Sequence, residues 1–334
     1  MTKTLQIALS VVISAVFLGF AVWNVDWSEA LRALGRANYL WILPTFPVTI
    51  WTLYIRAQRW RVFLHPMRIP ALRHLLAATN IGFMANMVLP LRAGEVVRPV
   101  LVHRREGLPL SRVLASVLLE RIFDMFMILL LFGVSASLVS VSDQVRQWGW
   151  MLTGLAVGIG GVIAVMRWQE ELALRAVRLV CGPLPERLRG PVVGFIEGFV
   201  KALEMLDSPA AFLRAFGWTL YLWVVISLIY VFAFAAFHLQ VPTVVGALVL
   251  TTIVAIAVSV PSAPGFIGSF QLGCVLALAI FDIPESEAIA FSIVVHLTQF
   301  IAVIAAGLYS LWTENMSFPN VESVESADGA EARG

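Results

Sequence analysis

The amino-acid sequence predicts an all-α polytopic membrane protein with about six full transmembrane helices and two oppositely oriented re-entrant hairpins of broken helix. Three observations predict it. Of 334 residues, 60% are hydrophobic and 13% charged, against about 45–50% and about 25% in soluble domains. Apolar runs recur at the length of about 20 residues that a helix needs to cross a bilayer core about 30 Å thick. Proline and glycine interrupt two of these runs, and the arginines gather beside one of the interruptions. This composition leaves no room within the 334 residues for a large soluble catalytic domain, and a soluble globular enzyme is excluded.

The elements follow in order as one integral membrane domain over 1–313. Leu5 to Val22 is longer than the 7–15-residue core of a signal peptide, so it reads as a retained first span over 5–24 with a cytoplasmic N-terminus. Asp26, Glu29, Arg32 and Arg36 make a short balanced loop, and a second span over 39–64 is bent in its first half by Pro44 and Pro47. From Arg56 to Arg112 ten arginines face two acids, Glu95 and Glu106, which by the positive-inside rule puts both ends of this stretch in the cytoplasm. Its apolar middle is too short and too polar to cross, and a crossing would strand Arg92 to Arg112 outside. A re-entrant pair of half-helices over 71–103, bent near Pro90 and Gly94, resolves the conflict.

Spans over 113–139 and 148–166 follow, the second with Gly154, Gly158 and Gly161 on a face suited to close helix packing. Residues 167–214 mix seven basic with six acidic side chains and read as cytoplasmic interfacial helices. A span over 215–237 leads to a second broken element over 244–281, interrupted at Pro261, Pro264, Gly265 and Gly268 and closed by an acidic, external turn at Asp282, Glu285 and Glu287. The last span, 288–312, returns to the cytoplasm, and 314–334 is a disordered acidic tail. Broken hairpins of opposite orientation are the pattern of inverted repeats whose interrupted helices meet near the bilayer centre. The same prolines and glycines would also serve to kink two ordinary spans.

The chain places several charges where a bilayer should hold few. Arg92, Glu95 and Arg98 stand at i, i+3 and i+6, and on a helix they share one sector with Glu95 between two guanidinium groups. One acid leaves a positive surplus beside a helix break, an arrangement suited to phosphate, for which arginine offers a planar fork. A salt bridge at the cytoplasmic surface would use the same residues. Glu120 and Asp124 lie at i and i+4 with Arg121 adjacent, inside an apolar span. Arg121 reaches Asp124, and Glu120 is within reach of Arg92, Arg98, or the pair Arg56 and Arg59. A network that only seats the first hairpin accounts for these charges as well as ligand binding does. His296, with Gln299 one turn on, either moves protons or bonds a neighbouring helix. The histidines show no metal-ligand spacing, and Cys181 and Cys274 fall in a polar loop and an apolar segment, which does not suit a disulfide.

Four ordered motifs carry a resemblance: Arg56-Ala-Gln-Arg59-Trp60; Asn86-Met-Val-Leu-Pro90-Leu-Arg92-Ala-Gly94-Glu95-Val-Val-Arg98; Glu120-Arg121-Ile-Phe-Asp124; and Pro261-Ser-Ala-Pro264-Gly265-Phe-Ile-Gly268. Together they resemble the flippase-like membrane domain of the lysylphosphatidylglycerol synthase family, from about Leu5 to Trp312. The resemblance implies a multi-pass inner-membrane protein that binds or translocates a lipid. Full-length synthases carry a soluble aminoacyl-transferase domain that this chain lacks, so lysyl transfer, and enzyme activity generally, is not expected. Where the family's last motif reads Pro-Gly-Gly-x-Gly-x-x-Glu, this chain has Phe266 for the second glycine and Gln271 for the acid. An amide at 271 can still hydrogen-bond a sugar or hydroxyl.

The expected function is that of a lipid flippase or transporter holding an anionic head group on Arg92 and Arg98, with Asn86, Glu95, Glu120 and Asp124 orienting them. An anionic phospholipid, a polyprenyl phosphate and a glycolipid all suit that charge, and no cofactor or metal is implied. A scaffold that recruits lipid-biosynthesis enzymes is the alternative. A membrane transferase using Mg²⁺ is disfavoured because Arg121 stands between the two acids that would hold the ion. No soluble module presents the arginines to nucleic acid.

Overall fold

A computed structural model describes residues 15–23, 25–64, 70–90, 92–139, 208–260 and 263–314, with isolated positions at 12 and between 147 and 203. The described residues are helical, without strands. Residues 15–22 are helical, and the elements used below are α1 (Trp27–Arg36), α2 (Thr45–Leu64), α3 (Leu72–Val88), α4 (Gly94–Glu106), α5 (Leu110–Leu138), α6 (Pro209–Phe237), α7 (Thr243–Ser259), α8 (Ser269–Ala279) and α9 (Glu285–Glu314). The expected spans 5–24 and 148–166, the segment 167–214 and the tail from 314 lie wholly or mainly outside the described residues.

The stretch expected as a loop after the first span is instead the helix α1. Asp26 caps it, its Oδ1 accepting from the N–H groups of Ser28 at 2.8 Å and Glu29 at 3.2 Å, and Arg36 sits in the last turn, where the helix dipole favours a cation. The hydrogen bonds from Ser28 and Glu29 hold the Asp26 carboxyl below the ordinary carboxylate range. Nor does a bent helix run through 39–64: a 3₁₀ turn occupies Tyr39–Trp41, and α2 begins at Thr45. Pro47 then falls in the first turn, where a missing N–H costs nothing.

Both expected interruptions are present. The chain breaks between α3 and α4 at Leu89 to Ala93 and between α7 and α8 around Pro264–Phe266, and in each case the flanking helices fold back on one another. Glycine permits the close approach. A Cβ on Gly94 would fall on the carbonyl of Gly82 and the Asn86 side chain, and one on Gly273 would meet Ala257 and Val254 at 3.0 Å. The Gly94 N–H donates to Asn86 Oδ1 at 2.8 Å, so the asparagine supplies the acceptor that the first turn of α4 lacks.

Among the described residues, α6 and α9 are long and apolar enough to cross a membrane by length and composition. At about 1.5 Å per residue, their 29 and 30 residues exceed the hydrocarbon thickness. One hydrophobic core gathers on α6 to α9 around Phe234, Leu250, Cys274 and Phe291, and another on α2 to α5 around Trp60, Phe63, Ile81 and Leu119. Helix α9 joins them, packing along α3, with Gly307 set against Met84 and Ser310 accepting from Asn80 at 2.9 Å.

Segments predicted to share a side of the membrane meet. The Asp26 N–H donates to Ser286 Oγ at 3.0 Å at the start of α9, whereas Glu314 at its other end pairs with Arg105 at 3.4 Å and Glu106 pairs with His74 at 2.5 Å.

Replacing Gly94 with alanine drives a methyl into the Gly82 carbonyl and is expected to cost about 1–3 kcal/mol. Gly133→Ala, at a helical site with open space around it, is expected to gain up to about 1 kcal/mol. Thermal unfolding of the two variants in one detergent should displace the midpoint in opposite directions.

Candidate functional site

Four charged side chains form a tight group inside the helices. Arg59 on α2 and Glu120 on α5 are fully buried, Arg98 on α4 equally so, and Asp124 nearly so. Arg59 donates to Glu120 Oε1 at 2.5 Å and to Asp124 Oδ1 and Oδ2 at 2.5 and 3.1 Å. Arg98 donates to Glu120 Oε2 at 3.3 Å, and its guanidinium lies 4.4 Å from the ring of Trp60. Two guanidinium groups thus meet two carboxylates, and the group is electrically balanced. Breaking any pair would leave a bare charge in low dielectric, so these contacts hold α2, α4 and α5 in register.

The sequence places Glu95 between Arg92 and Arg98, and the structure does not. The reason is the backbone: α4 starts at Gly94, and Arg92 lies ahead of it with a left-handed φ of 53°. Arg92 therefore turns toward the other broken element, donating to the carbonyl of Val258 and lying 5.4 Å from the Phe266 ring. Glu95 instead faces Arg121 at 3.9 Å. Of the four cationic partners open to Glu120, the structure selects Arg59 and Arg98, with Arg121 at 3.6 Å, and leaves Arg92 aside. The expected reach of Arg121 to Asp124 is observed at 3.4 Å.

A cavity of about 480 Å³ opens beside the balanced group, with walls from both broken elements and from α2, α5, α6 and α9. Arg56, Arg92, Glu95, Arg121, Asp124 and Asn86 supply its polar lining, and Ile226, Ile229, Val254, Phe270 and Val303 much of the apolar lining. Arg56 stacks on Phe83 at 4.6 Å. Arg121 sits near three carboxylates, yet its Nε and Nη2 have no hydrogen-bond partner among the described residues. Arg59, Arg98 and Glu120 lie behind the cavity wall, so Arg98, expected to hold a head group beside Arg92, is spent on Glu120. Pro90 sits in the first break.

The second break is fastened by side chains. Gly265 and Gly268 take φ values of 69° and 88°, which a residue without Cβ adopts at no steric cost. Pro264 opens the turn. Gln271 accepts from the Gly268 N–H at 2.8 Å and meets His296 Nδ1 at 3.0 Å, while His296 Nε2 donates to the Gly265 carbonyl at 2.7 Å. The Gln271 oxygen is therefore occupied within the turn, and its amide nitrogen meets His296 of α9. His296 bonds its neighbours and stacks on Phe270 at 4.6 Å.

Reading the sequence missed Trp223, whose indole donates to Asp124 at 3.3 Å, and Phe83, under Arg56 and Arg98. Both stand in apolar runs and carry no local signal of their partners. Trp60, next to Arg59 in the chain, was the one aromatic with such a signal; it donates to Ser116 at 2.9 Å.

These features define a helical protein with two broken hairpins and an arginine-rich cavity between them. The model of the lysylphosphatidylglycerol synthase TM region matches residues 7–307, and the chain belongs to that family. It is 26% identical to a protein named glycosyltransferase AglD from Haloferax volcanii, over 98% of this chain and 58% of that protein, so the chain spans little more than half the length of that relative. It is also 26% identical to a UPF0104 membrane protein from Methanothermobacter thermautotrophicus, over 90% of each. No solved structure matches.

Glu120→Gln leaves Arg59 and Arg98 undercompensated and is expected to cost about 3–5 kcal/mol. Arg105→Ala, at a half-exposed pair, is expected to cost at most about 1 kcal/mol. Thermal unfolding followed by size-exclusion chromatography checks both.

Proposed function

We propose that the chain is a lipid transporter of the cell membrane that receives an anionic, phosphate-bearing head group in the cavity between the two broken hairpins. The observation that carries this reading is the composition of one cavity, which joins three arginines to a lining of isoleucine, valine and phenylalanine. A soluble anion needs no such apolar wall, and an uncharged lipid needs no such arginines. Arg56, Arg92 and Arg121 bind the phosphate, Glu95 positions Arg121, and the Arg59–Glu120–Asp124–Arg98 group keeps the wall in place. This differs from the assignment to Arg92 and Arg98 because Arg98 is consumed by Glu120.

The arginine-rich ends of α3 and α4 face the cytoplasm in this reading, by the positive-inside rule. The two breaks form re-entrant tips that meet at the ligand. Transport rather than group transfer fits the acids present, since Asp124 is bound to Arg59 and Trp223, and Arg121 lies near Glu95. Membership of the family supports a lipid ligand, and a relative named as a glycosyltransferase keeps a sugar-bearing lipid phosphate among the candidates.

Proteoliposomes containing the purified protein should exchange fluorescent anionic lipids between leaflets faster than empty vesicles. Arg92→Ala and Arg121→Ala, monodisperse in detergent, should lower that rate about tenfold, the value of one lost charge-assisted hydrogen bond. Unchanged rates in the folded variants would reject the site. No acceleration across a panel of phosphate lipids would reject transport in favour of a scaffold.

A further inference from the structure

We infer that the head group received here carries two negative charges on phosphate, as a phosphate monoester or a diphosphate does, and not the single charge of a phosphodiester lipid. This rests on the proposed lipid-binding role of the cavity and narrows its ligand.

Charge balance supports it. Among the described residues, five guanidinium groups, Arg56, Arg59, Arg92, Arg98 and Arg121, and three carboxylates, Glu95, Glu120 and Asp124, stand around the cavity and its wall. Two positive charges remain. The buried group, of which Asp124 alone reaches the cavity, is balanced within itself, because Arg59 and Arg98 are matched by Glu120 and Asp124. The surplus therefore belongs to Arg56, Arg92 and Arg121 against Glu95, because the other lining carboxylate, Asp124, is taken up by Arg59.

The contacts of these three arginines agree. Arg56 has a ring beneath it, Arg92 a carbonyl and a ring, and Arg121 carboxylates within 4 Å to which its Nε and Nη2 make no hydrogen bond. Among the described residues, none is matched one to one with a carboxylate of its own. Among helices of this apolarity an uncompensated charge is costly, and two of them call for a ligand of charge minus two. A phosphodiester would leave one guanidinium uncompensated. The lining of Ile226, Ile229, Val254 and Phe270 marks the source of the phosphate as a lipid and not free phosphate.

The test measures binding of three probes to the full-length protein in detergent, by equilibrium competition against a labelled phosphatidate. The probes are dioleoyl phosphatidate, dioleoyl phosphatidylglycerol and inorganic phosphate. At pH 8 phosphatidate, a monoester with two charges, should bind at least about tenfold tighter than phosphatidylglycerol, as one further charge near two surplus cations requires. Near pH 5, below the second phosphate ionisation at about 6, the preference should shrink toward parity while phosphatidylglycerol affinity holds. Arg56→Gln, which removes one surplus charge, should shrink it at pH 8 as well. The pH series uses the native protein, so the question is answered even if that variant fails to fold.

Equal affinity for the two lipids at pH 8 would overturn the dianion inference and leave the anionic-lipid reading standing. No binding of either lipid would overturn both. Binding of inorganic phosphate as tight as that of phosphatidate would overturn the lipid source.

Discussion

The structure turns on the cost of placing Arg59 where no water reaches it. A guanidinium with no exposed surface must have its charge met by neighbouring carboxylates, and both that answer it, Glu120 and Asp124, come from α5. Glu120 then draws in Arg98 from α4, and Asp124 draws the indole of Trp223 from α6. One buried cation thereby sets the positions of four helices. Charge pairs of this kind fix register more effectively than they add stability, and register is what a cavity wall requires.

Arg56, Arg92 and Arg121 stand outside the shortest pairs of that group. The two sets are separated by one helical step: Arg56 and Arg59 are a turn apart on α2, yet one lines the cavity and the other lies behind it. Glu120, Arg121 and Asp124 divide similarly on α5, with Arg121 and Asp124 reaching the space that Glu120 does not. A single helix surface thus supplies both the wall and its bracing.

Much of the helical fold was legible because apolar length is a property of the chain itself, and both breaks stood where proline and glycine interrupt the runs. Local backbone conformation was not legible. Arg92 falls outside α4 by two residues, and its positive φ rotates it away from Glu95 and Arg98, so a periodicity argument grouped side chains that diverge. The partner of Gln271 is His296, on a helix 25 residues along the chain, and no spacing rule reports such a contact. α1 is a different lesson: Asp26 ahead of Ser28 and Glu29 is a helix start that the balanced charges of the segment obscured.

Helix α9 touches elements made at every earlier stage of the chain: α1 through Ser286, α3 through Gly307 and Ser310, the end of α4 through Glu314, and the second break through His296. A ribosome delivers it after all of them. Until it emerges, Asn80 and the Gly265 carbonyl have no partner from α9, and the face of α3 that sets Met84 against Gly307 is uncovered. The contacts through which α9 ties the two cores together therefore form only after the helices it touches have been made.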